Sequence, residues 1–257
     1  MWKIKQVAKT LPELNDPILL EGLPGVGNVG KVVVDFIVDE LKAEKLFEFT
    51  SHSLPHCVFV NEDNLVRLTS ISIYYKTREG KRDLLLLAGD AQPIDEVSSY
   101  AFSEKVLDVV EQLRGKEVVT LGGVGLGGAP KNPKVYCTGN SKEIVKKYCV
   151  KGVNKNVYGV VGPIIGVSGL LLGLASERNI QGASLLAETL GHPVHIGMRG
   201  AKALLGVLNN KLELDVDLSK LDNEMKKMEA EVEISGILDN LLRKDQKVKR
   251  EKRDYIG

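Results

Sequence analysis

A chain of 257 residues is long enough for one large α/β domain, or for one domain with an appendage. Its charged residues (27%) cancel to a net charge of +1, which excludes a general attraction to nucleic acid or to an anionic membrane. No apolar stretch is long enough to span a bilayer, and the N-terminus lacks the basic-then-apolar order of a secretory signal. Together with three cysteines (Cys57, Cys137, Cys149) outside any Cys-x-x-Cys pair, this gives the expectation of a cytoplasmic protein with reduced thiols.

Residues 1–16 scatter Lys and Glu among Ile4, Val7 and Leu11, as in a lead-in strand or arm. The stretch Pro17 to Asp35 organises the rest of the chain: a short apolar run, a glycine-rich turn, then a second apolar run, the pattern of strand, loop and helix start. Two incomplete nucleotide motifs overlap in it. Gly25, Gly27 and Gly30 match Gly-x-Gly-x-x-Gly, but the next strand does not close on the acidic residue such a site needs about 20 residues on. Gly25 to Lys31 matches a phosphate-cradling loop, but Val32 stands where a magnesium-binding hydroxyl belongs. The turn either lets a helix pack close on a strand or holds an anion.

Val29 to Leu41 carries a helical apolar stripe, and Lys45 to Thr50 reads as a strand. From Cys57 to Ala88 the period becomes two, which predicts an antiparallel meander, with Leu84 to Ala88 in mid-sheet. Ile94 to Leu113 is a helix, and the strand Val118 to Leu121 opens into a glycine loop, Gly122 to Pro130. Lys134 to Thr138 and Asn156 to Val161 are short strands, with a helix capped by Asn140 or Ser141 between them. The glycine-broken apolar run Val157 to Ala175 reads as a core segment containing a helix from Val167 to Glu177. Ala183 to Ala187 is a strand and Arg199 to Leu208 a helix. Alternating strands and helices predict an α/β fold with a mostly parallel sheet flanked by helices, plus the meander. The segmentation is residues 1–210 as the α/β domain, 211–242 as a C-terminal amphipathic helical segment begun by a Ser219-x-x-Asp222 box, and 243–257 as a basic flexible tail.

Chemistry is sparse. Ser168 lacks the last glycine of a nucleophile elbow, and the pairs His52/His56 and His192/His195 match no recurrent zinc spacing, so no catalytic nucleophile and no metal or other cofactor is expected. Glu21, Asp90 and Glu188 at strand ends, with Lys31 and Lys131, are the acid and base candidates; hydrogen bonding to loop amides explains them equally well. Gly25, Gly27, Gly30 and Lys31, with Gly123, Gly125 and Gly127, form the candidate anion or ligand loops.

The run Glu21 to Gly30, the Gly89-Asp90-Ala91-Gln92-Pro93 turn, the Gly122 to Pro130 stretch and the Gly162 to Leu170 segment resemble, in that order, the archaeal branch of the proteasome assembly chaperone family. The similarity runs from about Pro17 to Leu208. It implies a purine nucleoside phosphorylase-like fold, no enzymatic site, self-association into a homo-oligomer, and proteasome α-subunits as partners. Such proteins can dock through a C-terminal hydrophobic-Tyr-x motif. Here the chain ends Asp254-Tyr255-Ile256-Gly257, with Tyr255 one place early, so any docking uses a shifted anchor of Tyr255, Ile256 and Gly257. A nucleoside- or phosphate-binding enzyme of phosphorylase type is the rival reading.

Overall fold

The computed structural model describes residues 1–192 and 195–223. In chain order the elements are β1 (Lys3–Gln6), β2 (Ile18–Gly22), α1 (Val29–Glu40), β3 (Glu44–Thr50), β4 (Val58–Val60), β5 (Val66–Leu68), β6 (Ile71–Lys76) and β7 (Leu84–Gly89). They continue with α2 (Glu96–Gln112), β8 (Glu117–Leu126), β9 (Val135–Gly139), α3 (Lys142–Tyr148), β10 (Val153–Asn154), α4 (Val167–Glu177), β11 (Gln181–Leu190) and α5 (Met198–Leu212).

Nine strands form one sheet in the order β1-β3-β6-β7-β2-β8-β11-β9-β10. The four central strands, β7, β2, β8 and β11, run parallel. Outside them β6, β3 and β1 alternate in direction, and β9 runs against β11. The sheet is therefore mixed rather than mostly parallel. The cause is connection length: the link 77–83 between β6 and β7 is too short for a crossover helix, and a short link forces antiparallel neighbours. β7 lies mid-sheet, buried from Leu84 to Ala88, as the all-apolar run requires.

Period two along β2 separates the faces. Gly22 faces α1, which packs with α5 on one side, while Leu19 and Leu23 join the core under α2 and α4 on the other. Phe102 of α2 is fully buried there, with Trp2 tilted against it at 4.6 Å and Phe49 edge-on at 5.3 Å. The Trp2 indole also donates to the Ser98 carbonyl at 3.0 Å, fastening the N-terminal arm over α2.

Three stretches differ from expectation. β4 and β5 pair only with each other, so the four-strand meander divides into an isolated hairpin and two strands of the main sheet. Gly122 to Leu126 is the second half of β8, not loop: it stays in parallel register with β11 as far as Leu126 and Leu190. Residues 156–161 form turns with Gly159 at φ 79°, and β10 precedes them. With no strand beside it, the first part of the Val157 to Ala175 run lies at the surface, and burial begins at Val167. The helices at Val167–Glu177 and Met198–Leu212, the Ser141 cap of α3 and the strand around Ala183 to Ala187 match the sequence pattern.

The chain divides into two units, Met1–Val216 and Asp217–Gly257. In the second unit residues 218–223 are helical, and the Asp217 carboxylate accepts the Ser219 N–H at 2.9 Å, so Asp217 rather than Ser219 caps the helix. The remainder of the 211–242 segment, and the tail with Tyr255, Ile256 and Gly257, lie outside the described residues.

Candidate functional site: strand ends, a polar cleft and an exposed hairpin

At the carboxyl ends of parallel strands an α/β sheet gathers its ligands. Here the chain leaves β2, makes a single turn over 26–28, and enters α1. That turn lies directly on its neighbours' backbones. A Cβ on Gly30 would stand 2.1 Å from the Leu121 carbonyl oxygen, and one on Gly123 would stand 2.2 Å from the Val26 carbonyl oxygen. Gly27, at φ 61°, presses on Thr189 at the end of β11. Close backbone approach therefore accounts for Gly30 and Gly123, and the left-handed φ against the Thr189 side chain accounts for Gly27. Gly25 and Gly127 are exposed, and Gly125 belongs to the paired part of β8.

The space under the turn on the opposite face is taken by Glu21. Its carboxylate is fully buried and accepts the Leu23 N–H at 3.0 Å. Among the described residues its Oε2 has no hydrogen-bond partner of normal geometry, although Ser168 and the Leu121 backbone lie near enough to favour the charged form slightly. Burial outweighs them and pushes the carboxyl up to about 7. Gln92 seals the same region: its amide donates to the Pro24 carbonyl at 2.6 Å and accepts the first N–H of α4, from Val167, at 3.0 Å. An anion entering beside α4 would meet a protein carboxylate already in place.

The acid and base candidates separate. Glu188 is structural: it accepts the Tyr136 hydroxyl at 2.7 Å and the Lys134 N–H at 3.0 Å, tying β9 to β11. Burial, then Glu188, pushes the Tyr136 hydroxyl up to about 12. Lys131 is exposed in the turn after β8. Lys31 does come together with Asp90, but in a cleft beside β7 rather than over the glycine turn. Its ammonium bonds Asp35 at 2.6 Å and the Gly89 carbonyl at 3.1 Å. Arg67 closes the cleft with a two-pronged pair to Asp90 at 2.5 and 2.8 Å. Burial raises the Asp35 carboxyl in spite of Lys31. Burial also works to raise Asp90, but Arg67 and the Ser70 N–H hold it below its ordinary value. The cleft encloses about 540 Å³ and carries both signs of charge, with its charged groups paired to one another.

Above it stands the β4–β5 hairpin. Every residue of both strands is exposed, and apolar side chains occupy both of its faces: Val58, Val60, Val66 and Leu68, with Phe59 under the Arg67 guanidinium at 5.0 Å. Leu68 is 73% and Val66 68% exposed. More apolar exposure occurs at the start of α2 (Ile94, Val97, Tyr100) and in the 156–165 loop (Tyr158, Val160, Ile165). A two-stranded hairpin is marginal on its own, and here one face is wholly aliphatic, with Val58 opposite Leu68 and Val60 opposite Val66, while Phe59 and Arg67 share the other. Alternation alone would have paired this hairpin into the sheet, which is why sequence reasoning passes over it. The signal available in the sequence is the lack of polar residues at alternate positions of Val58-Phe59-Val60.

A mixed nine-stranded sheet with helices on both faces, its glycine turn closed by its own backbone, and an exposed apolar hairpin place the chain in the α/β class. Residues 19–234 match the PAC2 family model, and the chain belongs to the PAC2 family. The proteasome activator PbaB of Pyrococcus furiosus is similar in structure, with a TM-score of 0.82 and 31% identity over 91% of this chain and 98% of that one. PbaA of the same organism, an archaeal homologue of proteasome-assembly chaperone, gives a TM-score of 0.76 at 25% identity over 98% and 99% of the two chains. The uncharacterised protein MJ1210 of Methanocaldococcus jannaschii is 30% identical over 90% of this chain and 87% of its own length. No helix among the described residues is long and apolar enough to cross a membrane.

Proposed function

We propose that this chain is a non-enzymatic, cytoplasmic chaperone that assists assembly of the proteasome core particle by binding α-subunits. The observation that carries this reading is the β4–β5 hairpin, whose four aliphatic side chains form one exposed face that covers no part of the core. Its support from kinship is the similarity to PbaB and PbaA, whose own descriptions concern the proteasome and its assembly. The central parallel strands with helices on both faces agree with the phosphorylase-like layout that the resemblance implies. The sealed turn and the buried Glu21 argue against the phosphorylase-type enzyme, since neither leaves room for a phosphate. In this reading the amphipathic stripe of 211–242 mediates self-association, and Tyr255, Ile256 and Gly257 form a tethered second anchor that acts through high effective concentration once the body has bound.

The test is capture of archaeal proteasome α-subunits by the immobilised full-length chain. Capture is expected, with a loss on deleting Tyr255 to Gly257. Unchanged capture by the truncated chain would remove the tail from the account and leave the hairpin; no capture by the intact chain would overturn the reading.

A further inference from the structure

Cys137 and Cys149 are brought together by the fold. β9 runs to Gly139, the chain turns at Asn140 and Ser141, and α3 runs back over the strand. Gly139 sits against Ile144 and Val145. Cys137 lies two residues back on the same strand face, and Cys149 lies one helical turn beyond Val145, to which its N–H bonds at 2.8 Å. Two strand residues and one helical turn advance nearly equal distances, about 6 to 7 Å, so the stacking of Gly139 on Val145 is repeated by Cys137 on Cys149. The Cys149 thiol is near enough to bear on the ionisation of Cys137, whose own Sγ donates to the Thr138 carbonyl at 3.7 Å.

Their exposures differ. Cys137 is buried, whereas Cys149 is half-buried and opens into a surface cavity of about 500 Å³ that Lys142, Lys146 and Lys155 also line. Three ammonium groups around one accessible thiol favour the approach of an anionic reagent. We propose that Cys137 and Cys149 form a thiol redox pair, closed to an intramolecular disulfide by an anionic low-molecular-mass disulfide entering the lysine-lined cavity.

The chemistry balances in two exchanges. The Cys149 thiolate attacks one sulfur of the small disulfide, forms a mixed disulfide and releases one small thiol. Cys137 then attacks the Cys149 sulfur and releases the second small thiol. The protein gives up two thiol protons and two electrons; the reagent takes both and leaves as two thiols. The order is set by burial, which with the neighbouring Cys149 pushes the Cys137 thiol up to about 12 and makes it the poorer first nucleophile. Once Cys149 is in a mixed disulfide, its charge no longer opposes ionisation of Cys137. The product ties β9 to the end of α3.

Cys57 supplies an internal control, since it is exposed and lies on the other side of the sheet order, beside the hairpin. The experiment treats the full chain in a Cys57→Ser background with oxidised glutathione, alkylates the remaining thiols and maps peptides by mass. The expected result is loss of both alkylatable thiols, a linked Cys137–Cys149 peptide with no retained glutathione, and a rise in Tm of about 5 °C or more, as closure of a short loop implies. The same treatment of Cys137→Ser leaves glutathione on Cys149, and of Cys149→Ser leaves Cys137 free. Two alkylatable thiols after treatment, a stable glutathione adduct on Cys149 with Cys137 present, or disulfides formed only between chains would each overturn the pair.

Discussion

The strand ends and the β4–β5 hairpin are opposite solutions to the same surface. Around the turn after β2 the chain fills its own space: Gly30 rests on the Leu121 carbonyl, Gly123 under Val26, and the Glu21 carboxylate lies beside α4, while the cleft at the end of β7 stays open. At the hairpin nothing in the described chain covers Val66, Leu68 or Val60. The difference teaches that glycine density marks close packing here, and that the proposed binding surface is the one where side chains are large and uncovered.

The comparison breaks most readily at the sealed turn. Gly30→Val drives a branched side chain into the Leu121 backbone and should cost about 3 kcal/mol or more, read as a lower urea midpoint. Gly173→Ala in α4, where an added Cβ meets nothing, should instead leave stability unchanged or raise it by up to about 1 kcal/mol. Equal losses in both would contradict the packing account.

The next effect lies at the other end of the strands. Glu117, at the start of β8, holds Arg82 at 2.8 Å and also binds Lys147 and the Tyr148 hydroxyl. Burial works to raise its carboxyl, yet these three partners keep it below its ordinary value. Its stability contribution is therefore present above the unfolded carboxyl value and lost as pH falls through the depressed one. Glu117→Gln should cost about 2 kcal/mol near neutral pH, below the figure for a fully buried pair because Arg82 and Lys147 remain partly in solvent. The deficit should shrink in acid, which a pH series of urea midpoints would register.

Glu21 has the opposite sign. Its carboxyl is raised from 4.5 to about 7, so the fold favours the protonated form. The associated stability is complete below pH 4.5 and lost as pH rises through about 7, by about 3 kcal/mol at most. Glu21→Gln should flatten stability across that window and make the variant comparatively more stable at pH 8. A wild-type profile already flat between pH 4.5 and 7 would mean that the carboxylate is satisfied and the strand end open to solvent.

The sequence carried much of this architecture. Val29 to Leu41, Val167 to Glu177 and Leu84 to Ala88 announced themselves by period or by uniform hydrophobicity, and the Gly22 to Gly30 turn was marked by glycines alone. What was hidden depends on contacts distant in the chain. Gly122 to Leu126 continues as strand because β11 lies beside it to Leu190, and nothing local distinguishes such glycines from a loop. The half-buried cleft of Lys31, Asp35, Arg67 and Asp90 joins three places far apart in sequence: α1, β5 and the turn after β7. The 156–165 loop is apolar yet exposed, the reverse of what composition implies.

The most direct test is the hairpin itself. Val66→Lys with Leu68→Lys changes two mostly exposed side chains whose cross-strand neighbours are Val60 and Val58, so the Tm should move little, within about 0.5 kcal/mol of stability. Capture of α-subunits by the full-length double variant should fall at least tenfold while the fold stays intact. Undiminished capture with the same Tm would contradict the claim that this surface does the binding.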